Sequence, residues 1–376
     1  FERFCTEKAD WLDDYAIFMA LKEATGSEPW ANWPRDLLLR KPAALREAHH
    51  TLSDAVDRHR FAQFLFDRQW NELRRYAHRR GIKLLGDLPI FVSAESSDVW
   101  ARPELFQLDR QRRPTVVAGV PPDYFSRTGQ RWGNPLYDWK ALRREEYAWW
   151  VARFRATLAQ VDVVRIDHFR GFEAYWEVPA RARTAQKGRW VKAPGMELFG
   201  AVRKALGGLP FVAEDLGLIT PEVEALRDEL GLPGMRVLQF AFDGDVTSPH
   251  LPHNHVRNSV VYTGTHDNDT AVGWFRALDA KGRRYLRDYL PHVEEDGPWA
   301  LIRLAWSSVA THAIVPLQDI LALGREARMN VPGRAAGNWR WRLRDHQPAN
   351  DHLARLGELT GVVGRTVPDG PRKKPG

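Results

Sequence analysis

Four apolar runs in this 376-residue chain each end in a carboxylate, and those endings are the first place to look for chemistry. Val161-Asp162-Val163-Val164-Arg165-Ile166 delivers Asp167 and His168; Leu209-Pro210-Phe211-Val212-Ala213 delivers Glu214 and Asp215. Asn258 to Gly264 runs into Thr265-His266-Asp267-Asn268-Asp269, and Gly81 to Gly86 runs into Asp87. A charge at the end of a buried strand costs free energy unless it is paired or used. In a barrel of alternating strands and helices, catalytic groups occupy that end. One such ending fits a structural ion pair equally well. Four in register favour a polar floor at one end of a barrel.

The residue types narrow the reaction. Three or more carboxylates beside aromatic side chains, with no Cys/His ligand cluster and no phosphate-binding Gly-rich loop, is the pattern of glycosidic-bond cleavage. One carboxylate attacks the anomeric carbon and a second protonates the leaving oxygen; retention of configuration needs them about 5–5.5 Å apart. Arg165 lies two residues before Asp167, on the same strand face, and would keep Asp167 ionised as a nucleophile must be. Glu214 follows apolar Phe211 and Val212, a setting that raises a carboxyl pKa and suits the acid. A purely structural ion-pair network is the competing reading.

The elements that must position these groups follow the α/β alternation of a (β/α)8 barrel. Phe4 to Gly26 has helical spacing, and a second long helix spans Ala43 to Arg80 with a break near Thr51-Leu52-Ser53-Asp54. The aromatic stripe of that helix (Phe61, Phe64, Leu65, Phe66, Trp70, Tyr76) reads as core packing. Further helices are expected over Lys140–Leu158, Met196–Leu206, Thr220–Leu230, Lys281–Leu290 and Trp299–Ser307. Strand runs end near Asp87, Asp167, Glu214, Phe240, Asp267 and Leu317. That is six where a closed barrel has eight, so the first two strand–helix units are expected to be missing from this chain.

Residues 1–368 are thus expected to form one barrel domain, helical over 1–80, with loop regions at 91–139 and 172–195 and a disordered tail at 369–376. The stretch from Gly119 to Tyr137 has neither helical nor strand period. Its Tyr124, Phe125, Trp132 and Tyr137 suit a lid or binding loop with sugar-stacking faces.

Composition bounds the rest. Sixteen tryptophans exceed what a core needs, so some are expected on the surface as platforms for sugar rings, with packing as the alternative. The net charge of +7 comes mostly from arginine spread along the chain, without any nucleic-acid-binding motif, and nucleic acid is not expected as a partner. The lone Cys5 excludes an internal disulfide and suits a reducing cytoplasm. No apolar run approaches a membrane span. No metal or cofactor is expected, and a monomer is.

Three long motifs carry a family resemblance: Arg165-Ile166-Asp167-His168-Phe169-Arg170-Gly171-Phe172, Val212-Ala213-Glu214-Asp215-Leu216-Gly217 and Gly264-Thr265-His266-Asp267-Asn268-Asp269-Thr270. The stretches Gly119–Tyr137, Gly188–Lys192, Val315–Asp319, Ala327–Asn330 and Asn338–Arg342 extend it over nearly the whole chain. Together they resemble the 4-α-glucanotransferase (amylomaltase, or disproportionating enzyme) family, glycoside hydrolase family 77, of the α-amylase clan. Ala193 and His255 depart from it, standing where the family usually has Gly and Tyr.

The resemblance implies Asp167 as nucleophile, Glu214 as general acid/base and Asp267 as transition-state stabiliser. It implies sugar contacts from Asp87, Arg165 and His266, and a loop from Pro122 to Trp132 over the bound glucan. Asp123, Tyr124, Phe125, Gln130, Trp132 and Asn134 are the substrate-binding candidates of that region. The implied substrates are maltooligosaccharides and α-1,4-glucans. An α-amylase-clan hydrolase, in which water takes the second step, and a non-enzymatic glucan-binding or inert fragment are the alternatives.

Overall fold

The β-branched run Val163–Asp167 forms the middle strand of a three-stranded parallel sheet. The computed structural model describes residues 1–122, 126–290, 297–344 and 350–366. In chain order the strands are β1 (Leu85–Pro89), β2 (Val116–Val120), β3 (Gln130–Pro135), β4 (Val163–Asp167), β5 (Ala174–Pro179), β6 (Arg189–Lys192), β7 (Phe211–Ala213), β8 (Gly234–Val237), β9 (Ser259–Tyr262) and β10 (His312–Ile314). Two compact units divide the chain, Phe1–Leu232 and Pro233–Gly376.

In the first unit β1, β4 and β7 run parallel in that order. The register pairs Asp87 with Arg165, Pro89 with Asp167, and Ile166 with Ala213. Three chemically distinct strand ends are thereby brought side by side. Behind the sheet, Trp150, Phe154, Phe172, Phe199 and Phe211 are buried, with the rings of Phe154 and Phe211 stacked at 4.6 Å. Burying each such ring contributes roughly 1.5–3 kcal/mol.

The opposite end of β4 is a fastening. Burial would raise the Asp162 carboxyl, but Arg74 at 2.7 Å, the Leu84 N–H at 2.8 Å and His78 outweigh it and hold the group below the usual carboxylate range. Arg74 and His78 belong to the helix Ser53–His78, so the pairing pins that helix beneath the sheet.

Residues 1–80 are helical, with helices Glu2–Glu7, Ala9–Ala24, Pro42–Thr51 and Ser53–His78, and the break falls at Leu52. The aromatic stripe of the last helix does not form core. Phe61, Phe66 and Tyr76 are about half exposed, and Val56 and Ala77 supply the buried contacts instead. The aromatics fall on more than one helical face; Phe66 and Trp70 stack on each other at 5.9 Å, and the Trp70 indole N–H donates to the Gln160 carbonyl. The helix expected over 140–158 is two helices, Trp139–Arg144 and Ala148–Leu158. Glu146 and Tyr147 between them have φ of +52° and +59°, which no helix accommodates.

The stretches expected as loops at 91–139 and 172–195 contain four strands. They form an antiparallel sheet in the order β3-β2-β5-β6. Its alternation was hidden because β5 is buried on both faces, while β3 carries Gln130, Arg131 and a mid-strand Gly133. Gly119 permits the close approach of β2 and β3: a Cβ there would overlap the Gln130 carbonyl oxygen.

In the second unit β8, β9 and β10 form a parallel sheet in the order β10-β9-β8. Leu238, Val261, Leu286, Leu301 and Ile302 make its core. Helices that periodicity did not single out are added here, among them Ala271–Ala277 and Asn350–Val362. The latter inserts Leu359 into the core, and its Thr360 hydroxyl accepts the Trp306 indole N–H at 2.9 Å. Among the described residues the parallel strands are the six expected, alternating with helices as in a (β/α)8 barrel. The tail expected to be disordered, 369–376, lies outside the described residues.

Gly119→Ala is expected to destabilise the first unit by about 1–3 kcal/mol through overpacking of the β2–β3 pair. Denaturant unfolding measures it; an unchanged midpoint would show that the pair yields without cost.

Candidate active site

The site of the first unit is built on the strand ends of β1, β4 and β7. Arg165 is buried, and its guanidinium donates to Asp87 Oδ1 at 2.8 Å and lies 3.0 Å from Asp167 Oδ1. Burial alone would depress it, but the carboxylates of Asp87, Asp167 and Glu214 raise it and keep it charged. The Asp87 and Asp167 side chains remain nearly half exposed, so both carboxylates are open to a ligand.

Glu214 occupies the contrasting environment. Its backbone continues the ladder past β7: its N–H donates to the Ile166 carbonyl at 3.1 Å, and its carbonyl accepts from Phe169 N–H at 3.2 Å. The side chain accepts from the backbone N–H groups of His168 (2.8 Å) and Leu216 (3.1 Å). Burial pushes its carboxyl up to about 7, assisted by Asp167 and opposed by Arg165 and the two N–H donors. Two neighbouring carboxylates in unlike surroundings are the arrangement that separates an acid from a nucleophile. Beneath them, Asp215 and Arg227 form a buried pair at 2.5 Å, with Arg227 also reaching Asp228.

Of the substrate-binding candidates, Trp132 is brought to this cluster. It is 39% exposed, and its ring meets His168 edge-on at 4.8 Å. The Gln130 side chain accepts the Trp132 indole N–H at 3.2 Å. Asn134 donates to the Val92 carbonyl at 2.9 Å, which ties β3 to the segment after β1. Asp123, Tyr124 and Phe125 lie outside the described residues.

His266 and Asp267 belong to the second unit, on the loop after β9. Buried Asp319 holds that loop, accepting from Thr263 Oγ1 and from Ala271 N–H, both at 2.7 Å. The Asp267 carboxylate accepts from Asn330 Nδ2 at 2.6 Å, Arg328 donates to its carbonyl, and His266 lies 3.5 Å from it. Trp339, with φ +59°, places its ring 5.3 Å from His266. Asn330, Arg328 and Trp339 were not singled out as site residues. They lie more than sixty positions from Asp267 in the chain, and only their place in a shared motif points to them. The sequence places His168 at the end of the Val161–Asp167 run without giving it a role. Among the described residues, no group of three or more His, Cys, Asp or Glu is placed to hold a metal ion, and no helix is long and apolar enough to cross a membrane.

With this arrangement in view, the comparisons with known proteins are direct. The profile of the family described as 4-alpha-glucanotransferase matches residues 1–348, and the chain belongs to that family. The 4-alpha-glucanotransferase of Thermus thermophilus is 55% identical over 373 residues, covering 97% of this chain and 75% of the relative. That of Synechocystis sp. is 54% identical, covering 98% and 74%. The amylomaltase of Streptococcus agalactiae, solved in complex with acarbose, superposes with a TM-score of 0.94 at 38% identity, over 97% of this chain and 74% of that one. The amylomaltase of Corynebacterium glutamicum, at 18% identity and a TM-score of 0.72, shares the fold. The fold is therefore the α/β, (β/α)-barrel type expected, and the chain spans about three quarters of the length of these first relatives.

Asp215→Ala is expected to cost about 3 kcal/mol, because among the described residues it leaves the buried Arg227 guanidinium with the exposed Asp228 as its remaining acidic partner. Equilibrium unfolding measures the loss; a cost below about 1 kcal/mol would show that Asp228 suffices.

Proposed function

We propose that this chain transfers α-1,4-glucan segments between maltooligosaccharides by a retaining double displacement. Asp167 attacks the anomeric carbon while Glu214 donates a proton to the departing glycosidic oxygen, leaving a glucosyl ester on Asp167. Glu214, now a carboxylate, takes a proton from the 4-hydroxyl of an incoming sugar, which displaces Asp167. Asp267 is assigned to transition-state stabilisation on the strength of the resemblance. Asn330 would orient it, and Asp87, Arg165 and His266 would contact sugar. Gln130, Trp132 and Asn134 are proposed for the glucan-covering region, with Asp123, Tyr124 and Phe125 joining them by resemblance alone.

The observation that carries the reading is the pairing of Asp167 and Glu214. They end adjacent parallel strands in register, Ile166 beside Ala213, so the two side chains leave neighbouring backbone positions and the Asp167 charge acts on Glu214. One carboxylate faces a buried guanidinium; the other is desolvated and pushed up to about 7. A structural ion-pair network has no need of that asymmetry. The same reading carries a cytoplasmic monomer that acts on maltooligosaccharides and α-1,4-glucans, apart from nucleic acid and membrane and without a metal or cofactor. The lone Cys5 and the family membership support it.

Incubation with maltotriose tests the reaction. Glucose and a ladder of longer maltooligosaccharides are expected, and Asp167→Asn should reduce their formation by at least about 10³-fold. New reducing ends without longer products would indicate hydrolysis; silence from the wild-type chain would overturn the reading for it.

The pH dependence is a separate test. The first step needs Glu214 protonated, so kcat/KM should hold below about pH 7 and fall about tenfold per pH unit above it. A profile that rises through pH 7 would contradict the assignment of Glu214 as acid.

A further inference from the structure

His168, directly after Asp167, has φ +54°, a left-handed conformation that a residue other than glycine adopts only at a cost. Two contacts depend on that conformation. Its backbone N–H donates to Glu214 Oε2 at 2.8 Å. Its ring meets Trp132 edge-on, with centroids 4.8 Å apart and planes at 81°.

The ring itself is placed for packing. Nε2 is buried without a hydrogen-bond partner, and Gly171 is the floor: a Cβ there would stand 3.2 Å from His168 Cδ2 and 2.7 Å from Ile90 Cδ1. Burial, with Arg170 nearby, keeps the imidazole neutral down to about 3. A neutral ring whose Nε2 is sequestered cannot offer that nitrogen to a sugar.

We propose that His168 is a positioning residue that couples the proton donor to the substrate-covering hairpin, its backbone N–H fixing the Glu214 carboxyl and its ring seating Trp132. The inference rests on Glu214 as the acid and Trp132 as a glucan contact. The charged or titratable groups facing Glu214 are Arg165 and Asp167, and the further contacts are the N–H donors of His168 and Leu216. A shift in the Glu214 titration on changing residue 168 therefore reports the backbone bond.

Three variants separate the two contacts. His168→Gly keeps the left-handed turn and the N–H but removes the ring, and His168→Asn tolerates the same turn. His168→Val resists it. In the first two, the alkaline limb of the pH profile should stay at its wild-type position while KM for maltotriose rises about two- to tenfold, the worth of one edge-on aromatic contact. In a Trp132→Ala background, His168→Gly should add nothing further to KM. In His168→Val, loss of the N–H donor should move the alkaline limb to higher pH.

Equal KM effects of His168→Gly with and without Trp132, or no effect in either, would overturn the ring's role. An alkaline limb that moves in Gly and Asn as much as in Val would overturn the backbone's role. Should Val fail to fold, the Gly and Asn limbs still test the second point: both keep the N–H donor, so a limb displaced in them would show that something other than the backbone bond sets it. All readings are differences from wild type; absence of any limb near pH 7 in wild type would instead fault the assignment of Glu214.

Discussion

The structure of the first unit turns on one buried cation. Arg165 sits inside β4 with its guanidinium against Asp87 and Asp167, and its charge is sustained only because carboxylates from its own and neighbouring strands surround it. Moving a guanidinium out of water costs several kcal/mol unless such partners are present. The register of β1 on β4 supplies one partner and the two-residue strand repeat supplies the other. The same arrangement then leaves a negative group, Asp167, fixed in orientation and open to solvent. What stabilises the strand ends also prepares an attacking oxygen.

Glu214 shows the other side of that electrostatic arrangement. It stands one strand away, shares the same charges, and is pushed up because its own desolvation outweighs the pull of Arg165 and two backbone donors. One of those donors comes from His168, whose strained turn is positioned by the buried segment around Phe169 and Phe172. Local strain of this kind persists where surrounding packing over-determines it. The opposite end of β4 supplies the contrast: Asp162 is enclosed by Arg74, His78 and Leu84 N–H, and serves the fold alone.

Much of this was legible in the chain itself. Asp167, Glu214 and Asp87 announce themselves as charges that close β-branched or aromatic runs, and Arg165 by its spacing from Asp167. All six parallel strands were visible as apolar runs, four of them closed by a carboxylate. The antiparallel sheet was not, because β3 reads Gln130-Arg131-Trp132-Gly133-Asn134-Pro135 and has no apolar alternation to display. The exposed face of the helix Ser53–His78 misled in the other direction, since aromatic side chains there lie at the surface. Asn330 and Trp339 owe their places to long-range folding and, for Trp339, a left-handed backbone, neither of which leaves a local trace.

The central claim is that Asp167 forms the covalent bond. A Glu214→Gln variant given a maltosyl fluoride tests it most directly: fluoride leaves with its bonding electron pair without needing a proton, while the second step lacks its base, so the ester accumulates. Mass spectrometry of the digested protein should then find the glycosyl mass on the peptide that contains Asp167. The same mass on a peptide containing Asp87 or Asp267, or steady fluoride release with no modified peptide, would contradict the account.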